Sequence, residues 1–172
     1  MQQEDARTVD RLVFLQIMSE AEDGSVIPLL VTGGSMLPFL LDRRSVVYLK
    51  KDRGYQPKRG DVVLFLRPDG AWVLHRIVRL LPNGELLING DAQAWTETIM
   101  PPQIMAHVVQ ICRRKRTFSA ENVWYRLLSR MWMPLRPIHP FGARICYIWH
   151  RIPYKLFPRY MEKKHPPTQQ YH

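Results

Sequence analysis

The chain has 172 residues, of which 46% are apolar and 23% charged. That is long enough for a self-sufficient core and too apolar for wholesale disorder. Two cysteines, Cys112 and Cys146, exclude a disulfide framework and a cysteine-based zinc site. No apolar run approaches the roughly 18 residues of a membrane-spanning helix, and the polar start MQQEDARTVD lacks the basic and apolar regions of a secretory signal. A cytoplasmic protein, peripheral at most at the inner face of a membrane, is the expectation.

The net charge of +10 is unevenly spread. Residues 1–112 carry 12 Lys and Arg against 13 Asp and Glu, whereas residues 113–172 carry 13 Lys and Arg against Glu121 and Glu162 alone. The same last third holds 11 of the 18 aromatic residues and seven of the 14 prolines. Three segments follow: an N-terminal helix in 1–25, a body in 26–116, and a basic, aromatic, proline-broken tail in 117–172.

Residues 5–20 read as an amphipathic helix, with Val9, Leu12, Val13 and Ile17 at helical spacing. Val26–Thr32, Ser45–Lys50 and Asp61–Leu66 are apolar, branched runs expected to be strands. Arg67-Pro68-Asp69-Gly70 is a turn that sends Trp72–Leu80 back as a hairpin. Pro82-Asn83-Gly84 turns into a strand at Glu85–Asn89, and Ile104–Arg113 reads as the last strand of the body. Six or so short strands with tight turns predict a mainly β fold, a barrel or folded sheet. In the tail, Ser119 is expected to cap a helix to about Met133, with Glu121 in its first turn. Val123, Trp124, Leu127, Leu128, Met131 and Trp132 form its apolar stripe. Prolines 134, 137 and 140 stop it. A second aromatic-basic segment spans about 142–151, and 161–172 is expected to be loose.

Gly33-Gly34-Ser35 follows an apolar strand, which suits an exposed nucleophile on a tight turn, although Gly-Gly-Ser is also an ordinary loop. A serine needs a base near neutral pH. His75, inside Val73-Leu74-His75-Arg76-Ile77, is the candidate, against the plain alternative of a packed histidine. A third, acidic group would fix the imidazole tautomer. Asn89-Gly90-Asp91-Ala92 offers Asp91 just after a strand, with Glu97 six residues on, although Gly90-Asp91 also reads as a plain turn.

In combination and in order, Gly34-Ser35-Met36-Leu37-Pro38, Arg59-Gly60-Asp61-Val62-Val63, His75-Arg76-Ile77 and Gly90-Asp91 resemble the signal peptidase I family. The likeness is to its ER and archaeal branch, which pairs Ser with His, and to small bacterial members of the signal peptidase/LexA superfamily without a membrane span. It covers about residues 26–113. It implies a coiled, partly closed β-sheet and hydrolysis of a peptide bond in a leader or signal-like peptide. Ser35 would be the nucleophile, His75 the general base and the acid Asp91, which matches the Gly-Asp box, with Glu97 close behind, and neither metal nor cofactor is implied. In the ER branch the acid lies several residues beyond the Gly-Asp box, where this chain has Thr96-Glu97. Many relatives place a serine two residues before the nucleophile to assist the oxyanion hole, where this chain has Gly33, so backbone N–H groups around Ser35 are expected to carry that role, with Thr32 as a further candidate.

Two alternatives stand beside the peptidase. One is a non-catalytic module of the same fold, tethered by its tail. The other is a LexA-like self-cleaving regulator, ranked lower: no Ala-Gly or Cys-Gly dipeptide occurs, and only 34 residues precede Ser35. For the tail, docking on the body leads, an anionic membrane surface comes second, and nucleic acid last, since no recognition module is present.

Overall fold

The computed structural model describes residues 13–14, 16–113 and 116–138. Its strands are β1 (Val26–Leu30), β2 (Ser45–Lys50), β3 (Val62–Leu66), β4 (Trp72–Leu80), β5 (Leu86–Asn89), β6 (Glu97–Ile99), β7 (Ile104–Arg113) and β8 (Arg116–Ser119), followed by helix α1 (Val123–Trp132). Residues 13–14 and 16–20 are helical. The remainder of the expected 5–20 helix, the 142–151 segment and residues 161–172 lie outside the described residues.

The eight strands form one antiparallel sheet in the order β1-β2-β7-β3-β4-β5-β6, with β8 also on β7. The path has two ends, β1 and β6, and is not closed into a barrel among the described residues. β7 is the organising strand. One of its edges carries β2 from Ser45↔Arg113 to Lys50↔His107. Its other edge is divided between β3, which pairs with Ile104–His107, and β8, which pairs with Gln110–Arg113.

Side chains alternate across a strand, and β3 shows what this does in a folded sheet. Val62 and Leu64 enter a core with Met36, Leu40, Val47, Leu49, Val108 and Ile111. Val63 and Phe65 enter a second core with Ile77, Leu86, Ile88 and Ile99. The run Val62-Val63-Leu64-Phe65 is uninterruptedly apolar because both faces of β3 are covered. β4 is likewise buried at four successive residues, His75 to Val78. Two polar side chains that are neighbours in sequence are therefore forced into two different cores.

Two strands escape the sequence pattern. β6 has three residues and β8 four, too few to show a period of two. β8 also displaces the expected helix start. Ser119 ends that strand, and its Oγ accepts the Glu121 N–H at 3.1 Å. The cap of α1 is Asn122, whose Oδ1 accepts from the N–H groups of Trp124 and Tyr125 at 3.0 and 3.2 Å. Glu121 thus precedes the helix. α1 ends at Trp132 and passes into a 3-10 stretch, Met133–Ile138, containing Pro134 and Pro137.

Candidate active site

His75 lies in the middle of β4, opposite Val63 of β3, and is 2% exposed. Its Nδ1 is 2.9 Å from Glu97 Oε1, at the start of β6. Glu97 is fixed in turn by Arg67, just after β3, whose Nε and one terminal nitrogen donate to the two carboxylate oxygens at 2.6 and 2.7 Å. This is the bidentate geometry that suits a guanidinium and a carboxylate. Trp95 walls the cluster. Its ring meets the imidazole edge-on at 6.3 Å between centroids and lies 5.8 Å from the Arg67 guanidinium carbon.

Burial would raise the Glu97 carboxyl, but hydrogen bonding and charge from Arg67, assisted by His75, outweigh it and hold it below the usual range. Glu97 is therefore ionised at neutral pH and can only accept. It follows that Nδ1 carries the proton in the neutral imidazole, leaving the lone pair on Nε2. Desolvation pushes the His75 pKa below its ordinary value of 6.5, against the opposing pull of Glu97. The ring is thus neutral, with a fixed tautomer, at neutral pH. Nε2 has no hydrogen-bond partner among the described residues.

Asp91 does not meet the imidazole. Arg76, the next residue on β4, points to the opposite face, and Asp91 goes with it. Arg76 Nε and a terminal nitrogen donate to Asp91 Oδ1 and Oδ2 at 2.8 and 2.7 Å. The other terminal nitrogen donates to the Gly60 carbonyl at 2.8 Å. Both side chains are essentially fully buried, and Tyr125 OH of α1 completes the group 3.0 Å from Arg76. Of the two acids the sequence offered, geometry pairs Glu97 with His75 and Asp91 with Arg76. Arg67 was not singled out in the sequence, where it reads as the opening residue of a hairpin turn. Only the pairing of β6 beside β5 brings Glu97 within its reach.

Ser35 sits on the loop joining β1 to β2. Gly33 adopts a φ of 87°, open to glycine, and its N–H donates to Asp42 Oδ1 at 2.8 Å. The chain then turns so that Leu40 N–H reaches the Met36 carbonyl at 2.9 Å. The Ser35 carbonyl accepts the Ala92 N–H at 2.8 Å. This pins the serine to the loop that follows Asn89, the residue paired with Arg76 across β4 and β5. The serine loop and the histidine strand are thereby held to the same region of the sheet. Among the described residues, no hydrogen bond joins Ser35 Oγ to His75, and the N–H groups of Ser35 and Met36 have no acceptor. No group of His, Cys, Asp and Glu suited to a metal ion occurs among the described residues. No family model, curated protein or solved structure matches this chain.

Proposed function

We propose that the chain is a serine endopeptidase of the signal peptidase/LexA type, with Ser35 as nucleophile, His75 as general base and Glu97 as the orienting acid. The observation that carries this reading is the Arg67–Glu97–His75 relay. It fixes a neutral, buried imidazole with Nε2 as the basic nitrogen, at the sheet region where the Gly-Gly-Ser loop is pinned. The open, folded antiparallel sheet is compatible with the coiled sheet of that superfamily. The ordered sequence boxes and the relay support one another, because the boxes alone left the acid undecided.

In this mechanism Ser35 Oγ attacks the scissile carbonyl carbon while its proton passes to His75 Nε2. Nδ1–H remains bonded to Glu97, whose charge stabilises the imidazolium. The tetrahedral oxyanion takes the free N–H groups of Ser35 and Met36, in the position that Gly33 leaves without a hydroxyl. Collapse breaks the C–N bond, and Nε2 returns the proton to the leaving amine. Water, deprotonated by the same nitrogen, then hydrolyses the Ser35 ester and releases the acid. The substrate class is a peptide segment that lies extended beside the serine loop.

The test is cleavage of a diverse peptide mixture, read by mass spectrometry, with wild type, Ser35→Ala and His75→Ala in parallel. Cuts made by wild type and lost in both variants are expected. Equal cutting by either variant would sink the assignment. A non-catalytic module of the same fold is the second reading, favoured by the missing Ser35–His75 hydrogen bond and by Gly33. It predicts that wild type cuts nothing while still binding peptide.

A further inference from the structure

α1 is docked the wrong way round for a core helix. An amphipathic helix on a globular body normally turns its apolar stripe inward. Here Tyr125 and Ser129 face the body and are buried, followed by Met133 just beyond the helix. Polar links fix that orientation: Tyr125 OH to Arg76, Arg126 to Asp61 at 3.2 Å, and Trp132 Nε1 to the Asp91 carbonyl at 2.6 Å. The opposite face is apolar and open. Val123 is 75% exposed, Trp124 72%, Leu128 56%, Met131 63% and Leu127 45%, and Leu135 continues the patch beyond the helix.

We propose that this outward face of α1 is a docking surface for an anionic lipid bilayer, with the helix lying in the plane of the headgroups. At ten residues α1 is about 15 Å long, suited to lying at an interface and too short to cross one. Its apolar arc carries Trp124, a residue type at home at the headgroup level, and is bordered on the helix by the exposed Arg130. Charge selects the occupant. Residues 116–138 carry Arg116, Arg126, Arg130 and Arg136 against Glu121 alone, so a second copy would set like charges against each other here, whereas anionic headgroups neutralise them. The sequence beyond Ile138 has the same chemistry. Its 34 residues include six Lys and Arg, one acid, Trp149 and four tyrosines. This inference is independent of the proposed catalysis and holds whether or not the chain hydrolyses peptides.

The experiment is flotation of the full chain with phosphatidylcholine vesicles, with and without phosphatidylglycerol, together with quenching by brominated lipid. Wild type is expected to float only with the anionic vesicles. The double variant Trp124→Ser with Leu128→Ser should partition at least about tenfold more weakly, with an unchanged thermal midpoint showing that it folds. Brominated lipid should quench a fluorescence component present in wild type and absent in Trp124→Phe. Failure of wild type to float overturns the proposal, as does equal flotation of the double variant, which would move the contact off α1. Concentration-dependent self-association in light scattering, abolished by the double variant and unaffected by vesicles, would assign the face to a second copy instead.

Discussion

Neighbouring residues on one strand decide the chemistry. His75 and Arg76 diverge to opposite faces of β4, so their acids diverge too, Glu97 to one and Asp91 to the other. The two carboxylates should therefore fail in different ways. Glu97→Gln keeps most of the local hydrogen bonding and frees the imidazole tautomer, so kcat should fall by about a thousandfold or more with little loss of stability. Its pH profile is a second readout. Glu97 raises the His75 pKa against burial, so removing its charge should move the acid limb of kcat/KM to still lower pH. In wild type that limb should itself lie below the ordinary imidazole range, because burial favours the neutral ring. Asp91→Asn instead leaves the Arg76 guanidinium in a buried site without its counter-charge, and unfolding in urea should show a loss of about 3 kcal/mol or more. Equal stability of the two variants would show that this division of roles is wrong. Gly90 supplies a third case. A Cβ there would stand 2.8 Å from the Ser35 carbonyl oxygen. Gly90→Ala should displace the serine loop and reduce turnover more than it reduces stability, as comparing kcat with the urea midpoint would reveal.

At the level of elements, strand length sets what a sequence can announce. β2, β4 and β7 have six, nine and ten residues, and their expected bounds coincide with the observed ones. β6 and β8 are defined by their pairing with β5 and β7, not by their own pattern. β6 nevertheless delivers Glu97, which is why the acid could not be chosen from the chain alone. The start of α1 turns on competition between two capping residues. Ser119 is claimed by the sheet, leaving Asn122 to satisfy two N–H groups. Asn122→Ala should cost about 1 kcal/mol in thermal unfolding, and Ser119→Ala less. The stripe on α1 was legible as a stripe, but its direction was not. Trp132 docks on the body, whereas Trp124 stands outside.

On the scale of the molecule, one buried and one half-buried histidine tie stability to pH. Burial lowers the pKa of both His75 and His107. His107 stacks on Tyr55 at 4.1 Å, with a buried Nδ1 that has no partner among the described residues. Below 6.5 the unfolded chain takes up protons that the folded chain resists, so stability is full above that pH and declines as pH falls. Urea midpoints measured from neutral pH down to about 5 should decrease steadily. A flat profile would mean that both rings accept protons without cost in the fold.

Some properties of this protein reside in the chain itself. Apolar, branched runs and turn chemistry specify most strands, and glycines place Ser35 on a tight loop. The step in composition near Cys112 sets a near-neutral body apart from a cationic tail. These are local quantities, written in windows of a few residues. The pairings are not local. Arg67 meets Glu97 across 30 residues, Arg76 meets Tyr125 across 49, and Arg126 meets Asp61 across 65. Only the folded sheet determines which acid faces which base. A one-residue step along β4 reverses the face, and burial on both sides of the sheet removes the polar-apolar contrast that would otherwise have marked the direction.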